Sequence, residues 1–213
     1  MASRSSSDVW RAVHEERRAL LRDLDGLPDD AWHTPSLCPG WTVHDVLAHL
    51  VDTALTTRTG FLHSMITARF DFDRSNAAGV RKHRGNSPAE TLEAFRSVQH
   101  RTSGPPAPPA TRLVEAVVHG EDIRRPLDLV RRYPAEPVLA ALRHQLKTSV
   151  KVGGGRELAD GLRLIASDAA FEHGTGDEVR GPAVALLLAV SGRPVRAGEL
   201  DGDGAAVLRL MQA

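Results

Sequence analysis

Apolar residues recur at helical spacing through roughly the first 150 positions. Trp10, Val13, Leu20, Leu21 and Leu24 form one stripe, preceded by N-cap chemistry over residues 5–8 and stopped by Gly26 and Pro28. A turn-rich loop follows over residues 28–40, carrying Trp32 and ending in LCPGW. Thr42 and Asp45 make a capping-box-like pair ahead of a second helix with a core stripe of Val43, Val46, Leu47, Leu50, Ala54 and Leu55. The pattern is compatible with that helix running on through Phe61, Leu62, Met65 and Ile66, whereas residues 71–86 are polar and unpatterned and read as a loop. Ser87, Pro88 and Glu90 mark a third start, with Leu92, Phe95 and Val98 on its inner face. GPPAPPA at residues 104–110 excludes a helix and reads as a stiff connector. A helix over residues 111–127, closed by Pro126, and another from about Glu136 to Val150 complete a set that calls for a helical bundle.

Beyond GGGR at residues 153–156 the pattern changes. LRLIAS and AAFEH read as short strands joined to GTGDE as a turn, residues 184–190 as a buried helix opened by Gly181-Pro182, and DGDGAAVLRLM as a turn with a short helix or strand. The expectation is a mainly α protein, with a helical domain over residues 1–152 and a small α/β domain over residues 153–213. Gly153 to Gly155 fit no phosphate-binding loop and read as a linker. Asp201-Gly-Asp203-Gly lacks the later ligands of a calcium loop and reads as a turn.

The candidate chemistry sits in TRLVEAVVHGEDIRRPL, residues 111–127. At about 100° per residue, Glu115, His119 and Asp122 fall within a sector of roughly 60°, opposite Leu113, Val114, Val117 and Val118. Such a face is either solvated surface or a site, and a carboxylate and an imidazole one turn apart can share a metal ion. Lys plus Arg and Asp plus Glu number 27 each, so no overall charge favours nucleic acid or an anionic membrane. The single cysteine, Cys38, excludes an internal disulfide and a multi-cysteine zinc site. The beginning of the chain has no signal-peptide pattern, and the longest apolar run, residues 183–190, is too short to cross a bilayer. A cytoplasmic protein, monomeric or homodimeric, without membrane or nucleic-acid partners is expected.

CPGWTVHDVLAHL at residues 38–50 and EAVVHGEDIRRPL at residues 115–127 resemble two blocks of the mycothiol-dependent maleylpyruvate isomerase family, an actinobacterial group of DinB/YfiT-like metal-binding bundles. GPAVALLLAVSGR with the later LDGDG is similar to the C-terminal domain of that family. The resemblance implies a DinB-like four-helix bundle with a small C-terminal α/β domain. It also implies a divalent metal, usually zinc, held by His49, Glu115 and His119, with one coordination position left open. From its own helix His49 reads as exposed, beside Asp45, Asp52 and Thr56, so its role as a ligand comes from the resemblance. Mycothiol is the implied thiol cosubstrate, and isomerisation or S-transfer on a small electrophile such as maleylpyruvate is the implied activity. A non-catalytic metal- or small-ligand-binding bundle is the alternative.

Around these ligands, Asp122 is placed either to orient the His119 imidazole or to pair with Arg125 on the surface. Arg124 and Arg125 read as neutralising the helix C-terminus, with a substrate carboxylate as the other possible partner. Arg180 and Arg193 are the candidates for the substrate-binding arginine of the family, with Arg193 preferred. Cys38 reads as buried in its loop, Trp41 as a core anchor, and His14, His63 and His173 as surface residues.

Overall fold

The computed structural model describes residues 5–210. The last residues of the expected C-terminal domain and tail, 211–213, lie outside that range. Two compact units divide the chain, Met1–Arg131 and Arg132–Ala213.

The first unit is built on four helices that pack in a closed ring: α1 (Ser6–Leu24), α2 (Val43–Leu55), α5 (Pro88–Val98) and α6 (Ala110–Arg124). α1 and α2 each pack against both α5 and α6. This is a four-helix bundle. Their starts follow the expected chemistry. The Ser5 hydroxyl accepts the N–H of Asp8, Thr42 and Asp45 form a complete capping box, and Ser87 caps α5 with Pro88 in its first turn. Leu24, Val43, Val46, Leu47, Phe95 and Ile123 are packed into one core at 0% exposure, so the apolar stripes are satisfied by one another.

Two corrections apply here. α2 does not continue through Phe61 to Ile66: it ends at Leu55, and α3 (Arg58–Thr67) begins afresh. The Thr56 hydroxyl bonds back to the Asp52 carbonyl, and the extended Thr57 caps α3 by accepting the N–H of Gly60. Two threonines therefore close one helix and open the next. Residues 71–86 are not a loop. Asp71 caps α4 (Phe72–His83), which has Asp73 in its first turn and Arg81, Lys82 and His83 in its last. α4 packs along α2, and α3 packs on α4.

The second unit holds α7 (Ala135–Gln145), a three-stranded sheet, α8 (Ala183–Val190) and α9 (Gly204–Leu210). The boundary falls about twenty residues before the expected one at 152/153 because α7 packs on α8. β1 (Leu162–Ala166) is central, antiparallel to β2 (Glu172–Gly174) and parallel to β3 (Asp177–Gly181). The expected turn GTGDE thus ends at Gly176, and its last two residues begin a third strand. Gly153–Gly155 is not a linker. A Cβ at Gly154 would stand 2.0 Å from the Thr148 carbonyl oxygen, and one at Gly155 1.9 Å from that of Val190. These glycines let the backbone pack against α7 and α8 inside one unit. Among the described residues, no helix is long and apolar enough to cross a membrane.

Candidate metal centre

α2 and α6 lie side by side in the bundle, and their facing residues carry the chemistry. His49 is buried, at 5% exposure, against the expectation from its own helix that it faces solvent. A helix flanked by α4, α5 and α6 has almost no wet face, so a stripe analysis of α2 alone misplaces its polar residues. The His49 ring meets that of His119 edge-on at 4.8 Å between centroids, and Trp41 packs on it at 5.1 Å. Its Nδ1 is buried without a hydrogen-bond partner. A buried imidazole nitrogen left unpaired is costly unless something else fills its place. Burial, and then the nearby charge on His119, push the His49 pKa down to about 3, so His49 is neutral at pH 7.

Glu115 is held at both oxygens. Thr53, one turn beyond His49, donates its hydroxyl to Oε1 at 2.6 Å, and the Arg112 guanidinium pairs with Oε2 at 2.8 Å. Burial opposes the charge on this carboxylate, but Arg112, His49 and the Thr53 hydroxyl together hold its pKa below the ordinary value.

His119 is tied back into its own helix. Its Nδ1 lies 2.9 Å from Asp122 Oδ2, which also accepts the Cys38 S–H at 3.0 Å. Asp122 is fully buried, so the face of α6 that carries Glu115, His119 and Asp122 is not solvated surface. Of the two roles open to Asp122 from sequence, the bond to His119 is the one observed, and Arg125 pairs with Glu121 instead. Burial disfavours a charge on His119, but its bonds to Asp122 and Cys38 outweigh that and raise its pKa to about 9. With the Nδ1 proton directed at Asp122, Nε2 carries the lone pair in the neutral tautomer. Cys38 reaches this cluster because the loop before α2 docks on α6: Leu37 N–H bonds the Asp122 carbonyl at 3.2 Å, and Gly40 turns the chain at a φ of 77°.

Among the described residues the donor atoms drawn together are those of Cys38, His119 and Asp122, not the full expected set of His49, Glu115 and His119. Cys38, His119 and Asp122 bring one donor atom each within 4.8 Å of one another, a cluster able to hold a metal ion. His49 and Glu115 approach from the other side, where both line a cavity of about 940 Å³ between α2, α3, α4 and α6. Two imidazoles and a carboxylate are a donor set suited to zinc, and the unpaired His49 nitrogen is what a site awaiting an ion would show. By type these donors suit such a metal, while the atoms already close enough to hold an ion are those of Cys38, His119 and Asp122.

The remaining expected residues take other places. Arg193 is in the second unit, where Nη1 donates to the Ser191 carbonyl at 3.2 Å, and Arg180 pairs with Glu178 at 3.0 Å. Arg124, in the last turn of α6, is fully buried and bonds Asp23 at 2.7 Å. His14 Nε2 donates to the Arg101 carbonyl at 3.2 Å, and the side chain is only half exposed. Sequence reasoning missed Asp52 and His83, which line the cavity from α2 and from the unexpected α4. The signal available was the Asp71 cap with acids at one end of α4 and bases at the other.

A four-helix bundle with a buried cluster of Cys38, His119 and Asp122 defines a candidate metal-binding bundle. The chain belongs to the family described as the mycothiol maleylpyruvate isomerase N-terminal domain, whose profile matches residues 13–124. It is 30% identical over 161 residues to an uncharacterized protein found in two strains of Mycobacterium tuberculosis, a match covering 60% of this chain and 60% of each relative. The chain thus spans well under two thirds of the length of those relatives. Its fold is similar to the crystal structure of the mycothiol-dependent maleylpyruvate isomerase, with a TM-score of 0.60 at 12% identity over 95% of this chain and 96% of that one. A histidine-to-alanine mutant of that enzyme gives a TM-score of 0.65 at 14% identity over the same shares.

Proposed function

We propose that this chain is a metal-dependent enzyme in which His49, Glu115 and His119 hold a divalent ion, zinc by the chemistry of the donors, and a low-molecular-weight thiol reacts with a small electrophile. The observation that carries the reading is the buried meeting of His49 and His119 at 4.8 Å, with one His49 nitrogen unpaired and Glu115 beside the same cavity. When bound, such an ion supplies Lewis acidity that converts a neighbouring thiol to its thiolate near pH 7. The protein residues do the rest. Asp122 fixes the His119 ring and directs Nε2 outward as a ligand, while Thr53 and Arg112 keep the Glu115 carboxylate charged and oriented. The cavity gives room for thiol and substrate together.

Mycothiol, which appears in the names of the family and of the similar solved structures, is the thiol to test first, with maleylpyruvate as the first electrophile. Addition, rotation and departure of the thiol constitute an isomerase, and retention of the new C–S bond constitutes an S-transferase. A second reading, a non-catalytic metal- or ligand-binding bundle, draws on the Arg112–Glu115 ion pair, in which a cation already engages one of the ligands. Metal content of the wild type and of His119→Ala by mass spectrometry, with a thermal shift on adding mycothiol, tests the proposal. About one zinc per chain, lost in the variant, together with thiol stabilisation is the expected result. Absence of metal after reconstitution with zinc refutes it, and metal with thiol binding but no turnover of any electrophile supports the second reading.

A further inference from the structure

α4 packs along α2, and one close approach in that contact is made by Gly79. Gly79 lies so near Asp52 that a Cβ there would stand 2.3 Å from Asp52 Oδ2, so a larger residue would push this carboxylate out of its present position. One turn later the same face of α4 brings His83 to the other oxygen, with Nε2 3.4 Å from Asp52 Oδ1. The two side chains are 18% and 26% exposed, and both line the cavity that His49 and Glu115 line. A carboxylate 3.4 Å from an imidazole nitrogen, both facing one cavity, can steer the orientation of the ring by charge.

We propose that His83, positioned by Asp52, is the proton acceptor of this cavity: it takes the proton of the thiol on entry and returns it on departure. This rests on the reading of the site as one that uses a thiol. In the tautomer that places the Nε2 proton toward Asp52, Nδ1 of His83 is the base. The S–H bond of the thiol breaks with its electron pair left on sulfur, and an N–H bond forms at Nδ1. The reverse transfer restores both groups, and nothing is oxidised or reduced. The surrounding charges suit a base that is neutral before the thiol arrives. Burial and Lys82 on its own helix lower the His83 pKa against the opposing pull of Asp52 from α2, while Asp52 is itself raised by burial, with Glu115 of α6 adding to the effect. Asp52 is a positioning residue, acting through His83.

Isothermal titration of zinc-reconstituted protein with mycothiol, in buffers of different ionisation enthalpy at pH 7.5, counts the protons released per thiol bound. The wild type is expected to release close to none, because the thiolate formed beside His83 raises its pKa from the lowered value of the thiol-free protein and holds the proton there. His83→Gln is expected to bind thiol and zinc but to release about one proton per thiol. In the wild type alone, release is expected to climb toward one as pH falls and His83 is already protonated. Equal release by wild type and variant, or a pH-independent release of one proton by the wild type, overturns the assignment and leaves the thiol reading intact. Loss of zinc from His83→Gln also overturns it, by making the residue part of the metal's support. Failure of the wild type to bind mycothiol overturns this assignment together with the reading on which it rests.

Discussion

Replacing Asp122 with asparagine isolates the contribution of one buried contact. The substitution keeps size and shape but removes the negative charge 2.9 Å from His119 Nδ1. In metal-free protein His119 titrates at about 9 against an ordinary value of 6.5. A difference of about 2.5 pH units, at about 1.4 kcal/mol for each, corresponds to roughly 3 kcal/mol. The His119 side chain is only 18% exposed, so solvent screens the pair weakly. A histidine whose folded pKa exceeds its unfolded value binds its proton more tightly in the fold. The stabilisation is therefore complete below pH 6.5 and is lost as pH rises through about 9. Urea unfolding of chelator-treated wild type and Asp122→Asn is expected to differ by roughly 3 kcal/mol at pH 6 and by less than about 1 kcal/mol at pH 9. In the variant the His119 ring, followed by NMR, should titrate below 6.5, because burial then acts without its counterweight. A stability difference that stays constant from pH 6 to 9, or a His119 pKa still near 9 in the variant, would refute the account.

Two other perturbations probe separate parts of the chain. His49 titrates at about 3 in the fold, so metal-free protein should lose stability as pH falls from 6.5 toward 3, as the unfolded chain takes up the proton first; His49→Phe should flatten that acid limb, and a limb of unchanged slope in urea titrations would refute it. Gly155→Ala places a methyl 1.9 Å from the Val190 carbonyl oxygen, a clash with backbone that cannot swing away, and should destabilise the second unit by about 3 kcal/mol or more, seen as a lowered midpoint of thermal unfolding. An unchanged midpoint would show that the backbone at this glycine yields more easily than its packing indicates.

What the sequence made legible follows from whether the relevant geometry lies within one helix or between helices. Glu115, His119 and Asp122 share a face of α6 by spacing alone, and Thr42, Asp45, Ser5 and Ser87 announce helix starts by bonds to their own next turn. Those expectations match the fold. His49 was misplaced because an apolar stripe locates only one packed face, whereas α2 is covered on three sides by α4, α5 and α6. α4 escaped notice for the complementary reason. Only Gly79 and Val80 of its twelve residues are buried, too few to write a helical period. The third strand was hidden likewise, since DEVRG buries only Val179 and Gly181 and begins inside what reads as a turn. A helix with a narrow apolar face covers a helix that is packed on three sides, and the polar residues at their contact, Asp52 and His83, are legible in neither pattern. Such a contact encloses polar groups beside the apolar ones. The residue pair with the strongest claim to move protons in this cavity thus lies where hydrophobic patterning is least informative.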